Sequence, residues 1–284
     1  MISFFREADN MKLCDMHTHS DNSFDAKSAV DELCQAAIKS GLYAMAVTDH
    51  CEAEFINLGE NCEFGSFDRQ IPQSVCDINS AKEKYKDKLL VIRGLELGEP
   101  MHDPEQTAHA LAYADFDFIL ASVHNLRGRD DFYYLDYKTV DVTELLNEYF
   151  DELAETAAFE HFDSLAHLTY PLRYIVEREG YYPDLSPFSE KIDRIFNILI
   201  QNKKALEINV SGLFKPIGRT LPDEPLVRRF FELGGEYVTI GTDSHSSEMV
   251  GKGIEQGIAV AKAAGFKHYA IYRNHKPILI PIET

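Results

Sequence analysis

The sequence predicts an α/β barrel built on parallel strands, and three observations lead there. Seven short apolar segments alternate with seven stretches of helical periodicity, the order in which strand–helix units build a parallel sheet. No G-x-G-x-x-G follows any of the segments, so an open dinucleotide-binding sheet lacks its phosphate turn. The length, 284 residues, is too great for a small flavodoxin-like sheet and lies somewhat above the ~250 residues usual for a barrel. A closed or nearly closed barrel fits these facts. No linker breaks the alternation, so a single domain spanning 1–284 is expected.

The first strand is expected at Lys12–Met16, before a helix at Ser28–Ser40 that stops at Gly41. Tyr43–Thr48 and Leu89–Leu95 are the next strands, separated by a helix at Pro72–Tyr85. A helix at Glu105–Tyr113 leads to a fourth strand, Phe116–Ser122. Asp141-Val-Thr-Glu144 reads as the capped start of a helix running to Phe159. Ser164–His167, Ala205–Val210 and Tyr237–Thr242 complete the seven strands. The helices Pro187–Asn202, Glu224–Leu233 and Ser247–Ala264 fall among and after them. Gly41, Gly180, Gly234 and Gly265 sit at or just past helix ends, where a left-handed residue is often required. Tyr269–Tyr272 is a candidate for a short last strand.

Composition narrows the function classes. Apolar residues make up 45%, ample for a core. The formal net charge of −19 repels phosphate backbones and anionic membranes, so neither nucleic acid nor membrane is expected as a partner. A small phosphorylated substrate stays possible where local cations offset that field. Five scattered cysteines (Cys14, Cys34, Cys51, Cys62, Cys76) form no C-x-x-C pair, which argues against a disulfide framework or a cysteine zinc site. With no signal-peptide pattern in Met1–Asn10 and no apolar run of membrane length, a cytoplasmic location is expected.

The histidines and acids carry the chemistry. His17 and His19 follow the first strand, and His50 ends the second in Thr48-Asp49-His50. Glu96 closes the third, His124 follows the fourth in Ser122-Val123-His124, and His167 ends the fifth. Asp243 and His245 follow the seventh in Thr242-Asp243-Ser244-His245. Singly, each has an ordinary explanation: a core or loop histidine, or a turn aspartate. Jointly they occupy one end of six strands, and in a barrel those ends converge on one face. His17 and His19 alternate to the same side of their strand. Glu96, between two leucines, is costly to bury unless paired or metal-bound. Imidazoles and carboxylates without thiolate suit zinc, iron or manganese. So many ligands exceed the needs of one ion, and a carboxylate such as Glu96 can bridge two. A multinuclear centre that activates water for phosphoester hydrolysis follows. His102, His109, His161, His268 and His275 fall outside the pattern and read as surface or structural residues.

Asp15-Met16-His17-Thr18-His19, Thr48-Asp49-His50, Glu96, Ser122-Val123-His124, Ala166-His167 and Thr242-Asp243-Ser244-His245 together resemble the ordered motifs of the polymerase and histidinol phosphatase (PHP) family. The likeness runs from Asp15 to His245 and is greatest to the histidinol-phosphatase branch. It implies a distorted (β/α)7 barrel and a trinuclear centre of zinc, manganese or iron. By position, the resemblance gives His17, His19, Glu96 and Asp243 to a first ion. Glu96 bridges to a second, completed by His124 and His167, and His50 and His245 hold the third. A further ligand six residues after the second histidine falls on Asp25, which reads alternatively as a helix cap. The branch also places an arginine facing phosphate six residues after His167, here Arg173, and guanidinium suits phosphate at two points. A second basic residue follows a segment similar to Glu207–Gly212, where Lys215 and Arg219 are both candidates.

The implied activity is metal-dependent hydrolysis of a phosphomonoester, L-histidinol phosphate, in histidine biosynthesis. An activated water attacks in line with the leaving alkoxide, with no covalent phospho-enzyme. Glu96, Asp243 and His245 are the candidate catalytic residues, and Asp243, His245 or a metal-bound water is the candidate proton donor. Glu52, Glu54 and Glu99 are acids near the face that could meet a cationic substrate amine or lie solvated in loops. Two other readings are a PHP phosphoesterase for another small ester or nucleotide, and a non-catalytic PHP interaction module. The intact motifs count against the module.

Overall fold

The structure, a computed structural model, describes residues 11–52 and 67–283; Glu54 and Cys62 lie outside the described residues. Strands β1 (Leu13–Asp15), β2 (Leu42–Val47), β3 (His50–Glu52), β4 (Leu90–Gly98), β5 (Phe118–Ser122), β6 (Ser164–Leu165), β7 (Ala205–Asn209) and β8 (Val238–Gly241) form one parallel sheet. Its order is β1-β2-β4-β5-β6-β7-β8, with β3 also paired to β4. The register Val47↔Arg93 continues as His50↔Glu96, so β3 resumes the line of β2 after a two-residue break. There are thus seven strand positions, as the sequence predicts.

The sheet curls until its edges meet. Met16 N–H donates to the Ile240 carbonyl (2.8 Å), Asp243 N–H to that of His17 (2.8 Å), and His19 N–H to that of Ser244 (2.8 Å). Thr18 and Ser244 form a parallel bridge across the same seam. Asp15 locks it from inside. Its buried carboxylate accepts from Thr242 N (2.9 Å), Thr242 Oγ1 (2.6 Å) and Gly251 N (3.1 Å). Burial pushes the Asp15 carboxyl up to about 6, against the pull of those hydrogen bonds. The result is a nearly closed seven-stranded barrel.

Helices α1 (Val30–Lys39), α2 (Phe67–Tyr85), α3 (Pro104–Leu111), α4 (Val142–Ala158), α5 (Tyr170–Glu179), α6 (Ser189–Gln201), α7 (Glu224–Glu232) and α8 (Ile254–Ala264) accompany the strands. Asp141 caps α4 as its sequence indicates, accepting from Thr143 N (2.8 Å) and Glu144 N (3.1 Å). Gly41, Gly180, Gly234 and Gly265 all take positive φ (72°, 74°, 105° and 115°), as their places after helices require.

Four elements depart from the sequence reading. α2 begins at Phe67 and runs through Pro72, which the sequence suggested as its first residue. α8 begins only at Ile254, because Gly251 and Gly253 at positive φ interrupt the helix expected from Ser247. α5 was not expected, and it carries Arg173. The single terminal strand is a hairpin of β9 (His268–Arg273) and β10 (Lys276–Pro281), antiparallel and separate from the barrel sheet. Its two-residue turn, Asn274-His275, has both φ angles positive (48° and 59°), the mirror-image turn that suits hairpin twist.

That turn ties the hairpin to the residues that lead into β5 and β6. His275 N–H donates to the Asp117 carbonyl (3.0 Å), and His275 Nδ1 lies 2.9 Å from Asp163 Oδ2. Donation from the His275 ring to the Asp163 carboxylate raises the His275 pKa, against partial burial. A histidine raised in the folded state stabilises fully below its unfolded pKa, and the gain is lost as pH rises through the folded value. His275→Asn keeps a residue tolerant of left-handed backbone while removing the charge. The melting-temperature gap between wild type and His275→Asn is expected to be widest near about pH 5.5 and to close by about pH 9. A gap independent of pH would show that charge on His275 contributes nothing.

Candidate metal centre

The strand ends bring eight of the nine predicted ligands into one buried cluster, and Asp25 flanks it at 41% side-chain exposure. Glu96 is at the centre. It lies within β4, which runs on to Gly98, so the glutamate is inside the strand rather than at its close. It is fully buried, and its two oxygens face different partners. Oε2 lies 3.2 Å from His17 Nε2 and 3.4 Å from His19 Nε2. Asp243 Oδ1 completes this first set, 3.7 Å from His17 Nε2 and 3.4 Å from His19 Nε2. Oε1 faces the second set, 3.2 Å from His124 Nε2 and 3.0 Å from His167 Nε2, which are themselves 3.3 Å apart. In the third set, Asp25 Oδ2 lies 3.0 Å from His245 Nε2 and Oδ1 lies 3.7 Å from His50 Nε2. The helix-cap reading of Asp25 does not hold: α1 starts five residues later, after Ala29.

These spacings are those of ligands around cations. Metal–ligand bonds of about 2.0–2.1 Å in a tetrahedron put ligand atoms roughly 3.3 Å apart. His17 Nε2, His19 Nε2 and Glu96 Oε2 are buried with no hydrogen-bond partner, although they face each other at close to that distance. Buried polar atoms are rarely left so, and an ion between them resolves the orphaning. Charge gives the same answer. Asp25, Glu52, Glu96, Glu99, Glu207 and Asp243 converge here, with Arg173 the one guanidinium among them in the described residues. Burial works against charge on Glu96 and Asp243, yet the facing imidazoles hold both well below the usual carboxylate range. Glu207 and Glu96 hold His17, and Glu52 and Glu96 hold His124, well above the usual imidazole range against burial. His19 is instead driven down to about 3 by burial and by neighbouring His50 and His245. The donor set suits a metal centre.

Braces around the cluster are carboxylates that the sequence reading did not assign. Glu207, fully buried on β7, accepts from His17 Nδ1 through Oε1 (2.7 Å) and from the His167 backbone N–H through Oε2 (2.7 Å). It fixes the His17 ring with Nε2 toward Glu96. Gly241 leaves the room: a Cβ there would collide with His17 and the Glu207 carboxylate. Asp49 accepts from Ser20 N (2.6 Å), Ser20 Oγ (2.7 Å), Ser23 Oγ (2.8 Å) and Ser74 Oγ (2.5 Å), anchoring the loop that leads to Asp25. Glu207 and Asp49 stand inside motifs noticed in the sequence. Their roles were hidden because their partners are 190 and up to 29 residues away.

Arg173, on the first turns of α5, reaches the cluster. Its Nη1 lies 3.4 Å from Asp243 Oδ2, Nη2 donates to Tyr174 Oη (2.5 Å), and its plane covers the Tyr170 ring at 4.4 Å. Arg219 instead pairs with Asp223 (2.9 Å) and stacks on Tyr182 (4.3 Å). Lys215 is exposed, with no ion-pair partner among the described residues. Glu52 and Glu99 are buried against His124, which corrects the expectation of solvated loop charges. Outside the cluster, His102 pairs with Glu152 (2.7 Å) and His109 stacks on Tyr113.

Comparison with known proteins gives a consistent picture. Residues 15–211 match the PHP domain. A probable histidinol-phosphatase of Thermotoga maritima is 30% identical over 259 residues, 91% of this chain and 95% of that protein. The histidinol-phosphatase of Lactococcus lactis subsp. lactis is 30% identical over 94% of this chain and 96% of its own length. A crystal structure of histidinol phosphate phosphatase from that organism, complexed with zinc, L-histidinol and phosphate, superposes with a TM-score of 0.79. Its sequence identity is 27%, over 95% of this chain and 100% of that one.

Glu207→Gln tests the brace. An amide can accept at one oxygen only, so one buried N–H, on His17 or His167, loses its partner. The expected loss is about 1–3 kcal/mol of stability, read by urea unfolding of metal-stripped protein. An unchanged midpoint and slope would mean that neither hydrogen bond contributes.

Proposed function

The chain belongs to the PHP family, and we propose that it is a metal-dependent phosphomonoesterase that hydrolyses L-histidinol phosphate to L-histidinol and phosphate. The observation that carries this reading is Glu96, whose two oxygens face two separate sets of imidazoles at ligand-to-ligand distances. The named relatives supply the substrate: proteins alike over nine-tenths of the chain are histidinol-phosphatases.

We assign His17, His19, Glu96 and Asp243 to a first ion, and Glu96, His124 and His167 to a second. Asp25, His50 and His245 go to a third, and the whole chain is taken as one domain around them. Ions held there acidify water and neutralise charge developing on phosphoryl oxygens. The protein does the rest by placement. Glu207 orients His17, and Asp49 anchors the loop that brings Asp25 to His245. Arg173 is steadied by the Tyr170 and Tyr174 rings and by the Tyr174 hydroxyl. Its remaining N–H donors grip phosphate oxygens in the planar geometry that guanidinium offers. Of the two candidates for a second phosphate contact, Lys215 has the freer cation, since Arg219 is engaged by Asp223.

The deciding experiment is a phosphatase screen of zinc-, manganese- and iron-reconstituted protein across histidinol phosphate, nucleotides and sugar phosphates, beside elemental analysis. Histidinol phosphate is expected to give the highest kcat/KM, with about two or three ions per chain. A preference for another ester would overturn the substrate, and one ion or fewer after reconstitution would overturn the cluster.

Arg173→Ala is expected to raise KM for histidinol phosphate by an order of magnitude or more, corresponding to roughly 1.5–3 kcal/mol for a lost charge-assisted contact. Arg173→Lys should recover part of that, since ammonium keeps the charge without the fork. Zinc content should stay at the wild-type level. Steady-state kinetics with an unaltered KM in Arg173→Ala would remove it from the phosphate site.

A further inference from the structure

Glu52 ends β3, two residues after His50, and is 4% exposed. It is not a solvated charge, and its carboxylate is turned inward. Oε1 lies 3.0 Å from His50 Nδ1 and 3.2 Å from His124 Nδ1, and Oε2 lies 3.3 Å from His124 Nδ1. These are the ring nitrogens opposite the Nε2 atoms that face the third and second ligand sets. His50 Nδ1 is also 3.1 Å from Glu96 Oε2, and its N–H is in line with neither acceptor. Glu96 Oε2 faces His17 and His19 across the first ligand set, so Glu52 is the acceptor left for His50.

The surroundings hold Glu52 in that place. A Cβ at Gly98, its register partner on β4, would overlap the Glu52 carboxylate, so the glycine leaves a seat for it. Glu99, at φ 47°, is turned so that its Oε1 accepts from the His124 backbone N–H. His124 is therefore gripped at its backbone by one carboxylate and at its ring by another. A histidine whose Nδ1–H is fixed by an acceptor presents Nε2 as its lone pair, and partners of this kind orient and strengthen metal ligands.

We propose that Glu52 is a positioning residue that accepts Nδ1–H from both His50 and His124, and so aims ligands of two different ions with one carboxylate. This rests on the reading of those histidines as ligands. It accounts for a buried acid that lies against one histidine from each of two ligand sets. It also assigns Gly98 a purpose that backbone conformation does not require.

The test uses the zinc-loaded full-length chain labelled with 15N-histidine. Long-range 1H–15N correlations distinguish Nδ1–H from Nε2–H rings. In wild type, both His50 and His124 are expected as Nδ1–H tautomers with Nε2 bound. In Glu52→Gln, at least one of the two should lose that signature, and zinc affinity measured by chelator competition should fall about 10–100-fold. His17, oriented by Glu207, should keep its pattern and serve as the internal control. Glu52→Asp should recover part of the affinity, because charge survives while reach does not. Gly98→Ala, which removes the seat and leaves the acid intact, should reproduce the Glu52→Gln loss. A purely structural role would lower the melting temperature without moving the tautomer signals or zinc affinity, and that result overturns the proposal. So does a wild-type spectrum with zinc on Nδ1 of either ring, a measurement that holds even if the variants fail to fold. A wild-type chain that takes up no zinc sinks the metal-site reading itself, and the proposal with it.

Discussion

The burial of Glu96 is the constraint on which the rest depends. A glutamate with no exposed surface, inside a strand of an apolar barrel, is costly unless both oxygens are engaged by positive charge. The barrel meets this demand by delivering four imidazoles from three other strand ends, two toward each oxygen. That delivery in turn requires closure. His17 and His19 follow β1, Asp243 follows β8, and they meet because Asp15 and the backbone seam join the first strand to the last. Two of the site's residues take backbone that side chains seldom adopt, or lie close to it: Asp243, at the seam, with φ 52°, and His167, across the barrel, with φ 21°. Strain of this kind persists where surrounding contacts over-determine it. Here the His167 N–H is held by Glu207, and the Asp243 N–H by the His17 carbonyl.

Around the candidate ligands runs a second ring made almost wholly of carboxylates: Asp15, Asp49, Glu52, Glu99 and Glu207. Each accepts N–H or O–H groups from loops that carry ligands. Acidic braces have a physical advantage over amides. A carboxylate accepts at both oxygens and so can tie together two loops distant in sequence, as Glu207 ties His17 to His167. The concentration of acid also fixes the electrostatics of the mouth, since Arg173 alone cannot offset it.

Much of this was legible from the chain. The seven strands were visible because each is a short apolar run closed by a turn, and the ligands because each sits at the same end of its run. Asp25 was legible only through the family resemblance, since on spacing alone it reads as a cap. The bracing acids were not legible. Glu207 and Glu52 look like single acids beside apolar neighbours, and their partners become neighbours only once the barrel closes. α5 was hidden because Tyr170-Pro171 follows a metal ligand directly, leaving no loop to announce a helix start. The division of β2 from β3 was also invisible. Thr48 and Asp49 break a strand whose register against β4 continues unbroken on either side.

The net charge of −19 and the expected phosphate ester look incompatible until the two scales are separated. Surface charge acts through water and salt, and it is screened beyond about 8–10 Å at ordinary ionic strength. Inside the mouth, screening is weak and the local sum decides. There the carboxylates of Asp25, Glu52, Glu96, Glu207 and Asp243 face Arg173 and the imidazoles at close range. Such a donor set suits divalent cations, and each cation held there would bring two positive charges to the cluster. Acidity and phosphate chemistry are thus linked in one sequence of events. On the proposed reading the carboxylates would hold the ions, the ions would offset their charge, and Arg173, already oriented beside Asp243, would give the incoming phosphate a direction.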